Sequence, residues 1–128
     1  MGAEEREARG FRASAMAVVV FGLPGSGKSY FASRLAERVD ARYLSSDELR
    51  KEAFPDPNYS EREKARVYRL LAARAEEALS NGRSVVLDAT FHRAETRALV
   101  DALARRTRRP AHWIHVRADE SLIRERLA

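Results

Sequence analysis

Hydrophobic positions along the chain switch repeatedly between two periods. Residues 18–21, Val-Val-Val-Phe, form a short apolar run rich in β-branched side chains, which predicts a strand. Beyond Lys28 the spacing becomes helical: Phe31, Leu35 and Val39, with Ala32 and Ala36 beside them, predict a helix that stops near Asp40. A short strand over 42–44 follows. Ser45 with Glu48, and Ser60 with Glu63, each read as a capping box. The first opens a short helix reaching Phe54. The second opens a longer one that buries Val67, Leu70, Leu71, Ala75, Ala78 and Leu79 and ends at Asn81-Gly82. Between them, Pro55-Asp56-Pro57-Asn58 suits neither helix nor strand. Val85-Val86-Leu87 reads as a central parallel strand closed by Asp88-Ala89-Thr90. A helix over 94–106 turns Ala98, Leu99, Ala102 and Leu103 inward. A strand over 111–116 and a last helix over 120–128, capped by Asp119, complete the pattern.

The order βα-β-α-α-βα-βα predicts an α/β fold, a parallel β-sheet flanked by helices on both faces and joined by right-handed crossovers. In such sheets ligands sit beyond the carboxyl ends of the strands. That rule selects four clusters: residues 22–29, 45–50, 88–93 and 117–119.

The first cluster carries the most specific chemistry. Gly22, Gly27, Lys28 and Ser29 fit G-x-x-x-x-G-K-[ST], between a strand and a helix as that phosphate-binding loop requires. Glycines admit positive φ and close approach of the backbone, so successive N–H groups and the helix N-terminus can surround an anion. Lys28 would reach the β- and γ-phosphates, and the Ser29 hydroxyl would ligate Mg²⁺. Gly22, Gly25, Ser26, Gly27, Lys28, Ser29 and Tyr30 are the expected nucleotide contacts, with ATP and Mg²⁺ the expected cofactors. The sheet with this loop is a P-loop NTPase fold.

Composition narrows the setting. The 128 residues suffice for one domain, expected over 16–128 after a disordered tail at 1–15. There is no cysteine, hence no disulfide framework or zinc–thiolate site. No apolar run has transmembrane length and the N-terminus lacks an apolar signal core, so a cytoplasmic location without membrane partners is the expectation. The net charge of +5 fits an anionic partner, although acidic residues are interspersed nearly throughout.

Three stretches together carry a family resemblance: the loop Gly-Leu-Pro-Gly-Ser-Gly-Lys-Ser, then Leu44-Ser45-Ser46-Asp47-Glu48-Leu49-Arg50, and Val86-Leu87-Asp88-Ala89-Thr90 with Arg97 beyond. From Met16 onward the chain resembles the small P-loop kinases of the polynucleotide-kinase and zeta-toxin-like group. The resemblance implies that Asp47 holds the acceptor hydroxyl as general base and that Arg50 grips an anionic part of the acceptor. Lys28, Asp47, Arg50 and Arg126 are thus the expected catalytic residues. Asp88, Thr90, Arg93 and Arg97 join Asp47 and Arg50 as expected acceptor contacts. Ser29 is the expected metal ligand, with Asp88 acting through a water. Each has a plainer reading too: Asp47 favouring a helix N-terminus, Arg50 solvated, Asp88 capping the next helix.

The family continues past the Arg124-Glu125-Arg126 region into an arginine-bearing lid, a further strand and a helix that completes the adenine pocket. The chain is therefore expected to be C-terminally incomplete. It should bind nucleotide chiefly by its phosphates, discriminate poorly between ATP and GTP, and expose a sheet edge beside Trp113 suited to pairing with a second copy.

His112 and His115, three apart on a strand, face opposite sides and cannot chelate one ion. Arg105, Arg106, Arg108 and Arg109 could meet a nucleic-acid backbone, or simply be a solvated helix end. The leading expectation is transfer of the γ-phosphoryl group of ATP to a hydroxyl of a small molecule or a nucleic-acid end. The alternative is a nucleotide-binding module without acceptor chemistry.

Overall fold

The computed structural model describes residues 15–23 and 25–117. The elements, in order, are β1 (Ala17–Phe21), α1 (Lys28–Arg38), β2 (Arg42–Ser45), α2 (Ser46–Ala53), α3 (Glu61–Ser80), β3 (Val85–Ala89), α4 (Ala94–Thr107) and β4 (Ala111–His115). The expected last helix, Asp119 and Arg126 lie outside the described residues, as does all of the tail expected at 1–15 except Ala15.

All strand pairings are parallel, in the order β2-β3-β1-β4. Registers such as Val20 with Asp88 and Ser45 with Asp88 align the strands, so every carboxyl end opens along one rim. Side chains alternate between the two faces. Ala17, Val19, Val85, Leu87 and Ala89 pack with Leu71, Ala75 and Leu79 of α3 and with Val100 and Leu103 of α4. Val20 and Val86 face the opposite layer, where α1 supplies Ala32 and Ala36.

Two helices seat differently from their predicted faces. On α1 the fully covered residues are Ala32 and Ala36, whereas Phe31 and Val39 remain 40% and 43% exposed. β-Branched strand residues fill the interface, so the helix comes close on its alanines and carries Phe31 to the side; Val39 is already the C-cap. On α4, Val100 and Leu103 are buried but Ala98 is exposed, because two residues of helix before Val100 place it on the opposite side.

The second capping box forms only in part. Ser60 Oγ accepts the Glu63 N–H at 3.2 Å, but the Ser60 N–H donates to Asn58 Oδ1 at 2.9 Å, and Glu63 turns elsewhere. No helix among the described residues is long and apolar enough to cross a membrane.

Candidate phosphate and acceptor site

The rim of the sheet carries two adjoining clefts. The smaller, about 300 Å³, is lined by Gly25, Gly27, Lys28, Ser29 and Tyr30 of the phosphate loop and the start of α1. Positive φ at Gly25 and Gly27, 82° and 88°, produces the turn, and Gly27 stands as N-cap with no side-chain cap, leaving the helix N-terminus open to an anion. Gly22 and Ser26 are buried and brace the loop from behind. A Cβ at Gly22 would lie 2.4 Å from the Val116 carbonyl oxygen, which is why that position takes glycine. Tyr30 is 69% exposed, and its hydroxyl accepts a bond from Arg34 at 3.2 Å.

Behind Lys28 and Ser29 sits a polar cluster. Lys28 Nζ donates to Asp88 Oδ1 at 2.5 Å, and the Tyr43 hydroxyl donates to Asp88 Oδ2 at 2.5 Å. Strand alternation puts Asp88 on the α1 face beside Val86, away from α3 and α4. Burial first, then the hydrogen bond and negative charge of Asp88, push the Tyr43 hydroxyl well above its ordinary value, against smaller opposing effects of Ser45 and Ser29. Asp88 lines neither cleft, and its two oxygens receive Lys28 and Tyr43. Tyr43 escaped the sequence reading, since its partnership depends on the β2–β3 register.

The larger cleft, about 510 Å³, opens beside the first and combines Phe21, Tyr68, Phe91 and His115 with the cations Arg50, Lys64 and Arg97. Leu23, Ser46, Asp47 and Thr90 line both clefts, so Asp47 stands at their junction. Ser45 as N-cap, its Oγ accepting the Glu48 N–H at 3.4 Å, starts α2 directly at the end of β2 and sets Asp47 in the first turn. Arg50 follows one turn later on the same side.

The far wall is built on Tyr68 and Phe91. The Tyr68 hydroxyl meets Thr90 Oγ1 and the Phe91 N–H, each at 3.1 Å, and Arg97 Nη1 donates to the Phe91 carbonyl at 3.0 Å. Phe91 adopts a φ of 50° and is 2% exposed, its ring edge-on to Tyr68 and Trp113. His115 stacks on Phe21, whereas His112 is exposed, and no metal-binding cluster occurs among the described residues.

Arg93 is not brought to the site. Its guanidinium reaches Glu61 at 2.6 Å and lines an outer pocket of about 280 Å³ between the starts of α3 and α4, which adjoins the larger cleft at Lys64, Tyr68 and His92. A buried carboxylate, Glu63, was read from the sequence only as part of a cap. Its Oε2 accepts the N–H groups of Asn58 and Tyr59, at 2.7 and 3.1 Å, while Oε1 faces Arg50 Nε at 3.2 Å.

A model of the AAA domain family matches residues 18–128, from β1 onward. The chain belongs to this family, within its P-loop kinase group. No curated protein matches it. Among solved structures it resembles APE1195 at 27% identity and a TM-score of 0.75, covering 88% of this chain and 66% of that one. A cysteine-to-alanine mutant of the APS kinase CysC from Mycobacterium tuberculosis is 26% identical with a TM-score of 0.70, covering 80% and 76%. The same kinase in complex with AMPPNP and APS is 24% identical with a TM-score of 0.76, covering 88% and 68%. The chain thus spans just under two thirds of APE1195, and its fold is the P-loop fold it shares with that protein and with CysC.

Proposed function

We propose that this domain transfers the γ-phosphoryl group of ATP to a hydroxyl of an acceptor held in the larger cleft. The observation that carries this reading is the position of Asp47, an exposed carboxylate lining both the phosphate pocket and the adjoining cleft. Transfer requires the attacking oxygen in line with the transferred group, and a carboxylate at the junction can hold that hydroxyl and take its proton. The loop N–H groups and Lys28 would cradle the phosphates. Arg50, Lys64 and Arg97 would hold the acceptor, with Thr90 orienting it.

The residues present fit Mg²⁺, an ion that prefers few protein oxygens and keeps phosphate and water as its other ligands. Ser29, in the first turn of α1 and lining the phosphate pocket, is the residue that would hold it. When bound with the nucleotide, the ion would neutralise charge on the phosphate oxygens.

The experiment is an acceptor screen with labelled ATP, followed by Asp47→Ala. Transfer should fall about 10²- to 10⁴-fold, the usual contribution of a general base, while nucleotide affinity is retained. Absence of acceptor-dependent turnover across small alcohols, sugars, nucleotides and 5′-hydroxyl ends, with nucleotide still bound, would leave a nucleotide-binding module.

A further inference from the structure

Glu63 is a buried carboxylate that phosphoryl transfer itself does not require. Its side chain is 4% exposed in the first turn of α3. A carboxylate so deeply covered stays charged only when paired and hydrogen-bonded. Its two oxygens meet that condition between them, Oε2 by hydrogen bonds and Oε1 by an ion pair. Oε2 receives the N–H groups of Asn58 and Tyr59, which folds the strap between α2 and α3 back onto the helix. Oε1 stands 3.2 Å from Arg50 Nε, an ion pair whose angle is too poor for a hydrogen bond.

The same strap holds Arg50 from a second direction. Tyr59, at a φ of 56°, places its ring 4.8 Å from the guanidinium carbon. Arg50 is therefore fixed along its Nε edge by a carboxylate and over one face by an aromatic ring. Its terminal nitrogens are the donors left for the cleft that it lines. Two terminal guanidinium nitrogens suit two oxygens of a phosphate, sulfate or carboxylate.

We infer that Glu63 is a positioning residue: it presets Arg50, through the ion pair and the folded strap, as the receptor for an oxyanion carried by the acceptor. Lys64 and Arg97 add charge to the same cleft, whose lining thus holds three cations and one carboxylate, Asp47. The word acceptor rests on the phosphoryl-transfer reading; the oxyanion receptor does not.

The test reads the Arg50 guanidinium directly, by ¹⁵N NMR of the whole chain with saturating Mg-ADP and inorganic phosphate as the probe. The Arg50 Nε–Hε signal, identified by its loss in Arg50→Lys, should exchange at least tenfold more slowly than that of an exposed arginine such as Arg62. Phosphate should shift it. Glu63→Gln should remove the protection and weaken the phosphate response at least fivefold, and should add nothing in the Arg50→Lys background. Exchange of Arg50 Hε as fast as that of Arg62 overturns the proposal with no variant needed, as do independent, additive effects of the two substitutions on phosphate affinity. A protected, phosphate-sensitive Arg50 in a protein that phosphorylates no acceptor sinks the kinase reading and leaves the receptor. Turnover that neither phosphate nor Glu63→Gln alters does the reverse.

Discussion

Lys28 Nζ lies 2.5 Å from a carboxylate oxygen of Asp88, whose side chain is 1% exposed. The phosphate-loop lysine is thus also the counter-ion of a buried acid. Lys28→Ala should act twice, weakening nucleotide binding and destabilising the free protein by about 3 kcal/mol, because removing one partner strands a buried charge. Adding Asp88→Asn should restore most of that stability without restoring nucleotide affinity. Denaturant titration and calorimetry on the same variants separate the two effects.

Tyr43 holds the other Asp88 oxygen at 2.5 Å. Tyr43→Phe should cost about 1–3 kcal/mol, the penalty for a buried acceptor left without its donor. The raised Tyr43 value means that the native state favours the neutral phenol. That contribution is complete below the ordinary tyrosine value of 10.0 and is lost as pH rises above it. Wild type should therefore lose stability more steeply above that pH than Tyr43→Phe does, in urea melts run across the alkaline range.

Gly22→Ala should destabilise the fold by about 2–3 kcal/mol, in the upper range for overpacking, because the new Cβ would press on the Val116 backbone. The expected signature is a lower urea midpoint with an unchanged slope.

Arg106 donates two hydrogen bonds, each 2.9 Å, to Glu76 across α4 and α3. The hydrogen bond from Arg106 holds the Glu76 carboxyl below its ordinary value, opposed by burial and helped least by the charge of Arg106. The pair's small contribution is complete above that ordinary value and fades as pH falls through the lowered one. A difference in Tm between wild type and Glu76→Gln at neutral pH should accordingly shrink on acidification; a constant difference would show that the pair does not contribute through charge.

The parallel sheet, the order of its elements and the phosphate loop were legible because each leaves a local mark: branched runs, cap residues, glycines at fixed spacing. Asp47 and Arg50 were legible because a strand end and a helix start fix both. The partners of Asp88 were not, since they follow from which face residue 88 takes and from a register pairing two strands more than forty residues apart. Arg93 and Arg97 look alike in sequence; the placement of α3 gives Arg93 to Glu61, while Arg97 turns back to the Phe91 carbonyl before its own helix. Glu63 had a local explanation as a cap, which concealed its bond to the strap. Phe31 shows the converse limit, where a strong helical period marks an amphipathic face but not which of its members comes nearest the sheet.

Phe91 occupies a left-handed backbone conformation that costs a non-glycine residue roughly 1–2 kcal/mol. Its ring, its N–H and its carbonyl are nevertheless all engaged within the far wall of the larger cleft. That wall is consequently a fixed jaw, locked at three points to α3, α4 and β4. The strap behind Arg50, turned by Pro55 and Pro57 and tied back through Asn58 and Tyr59 to one carboxylate, has less to break. For an acceptor bound as proposed, adjustment to its size would fall to the Arg50 side, which the strap holds, while Thr90 stays tied to Tyr68.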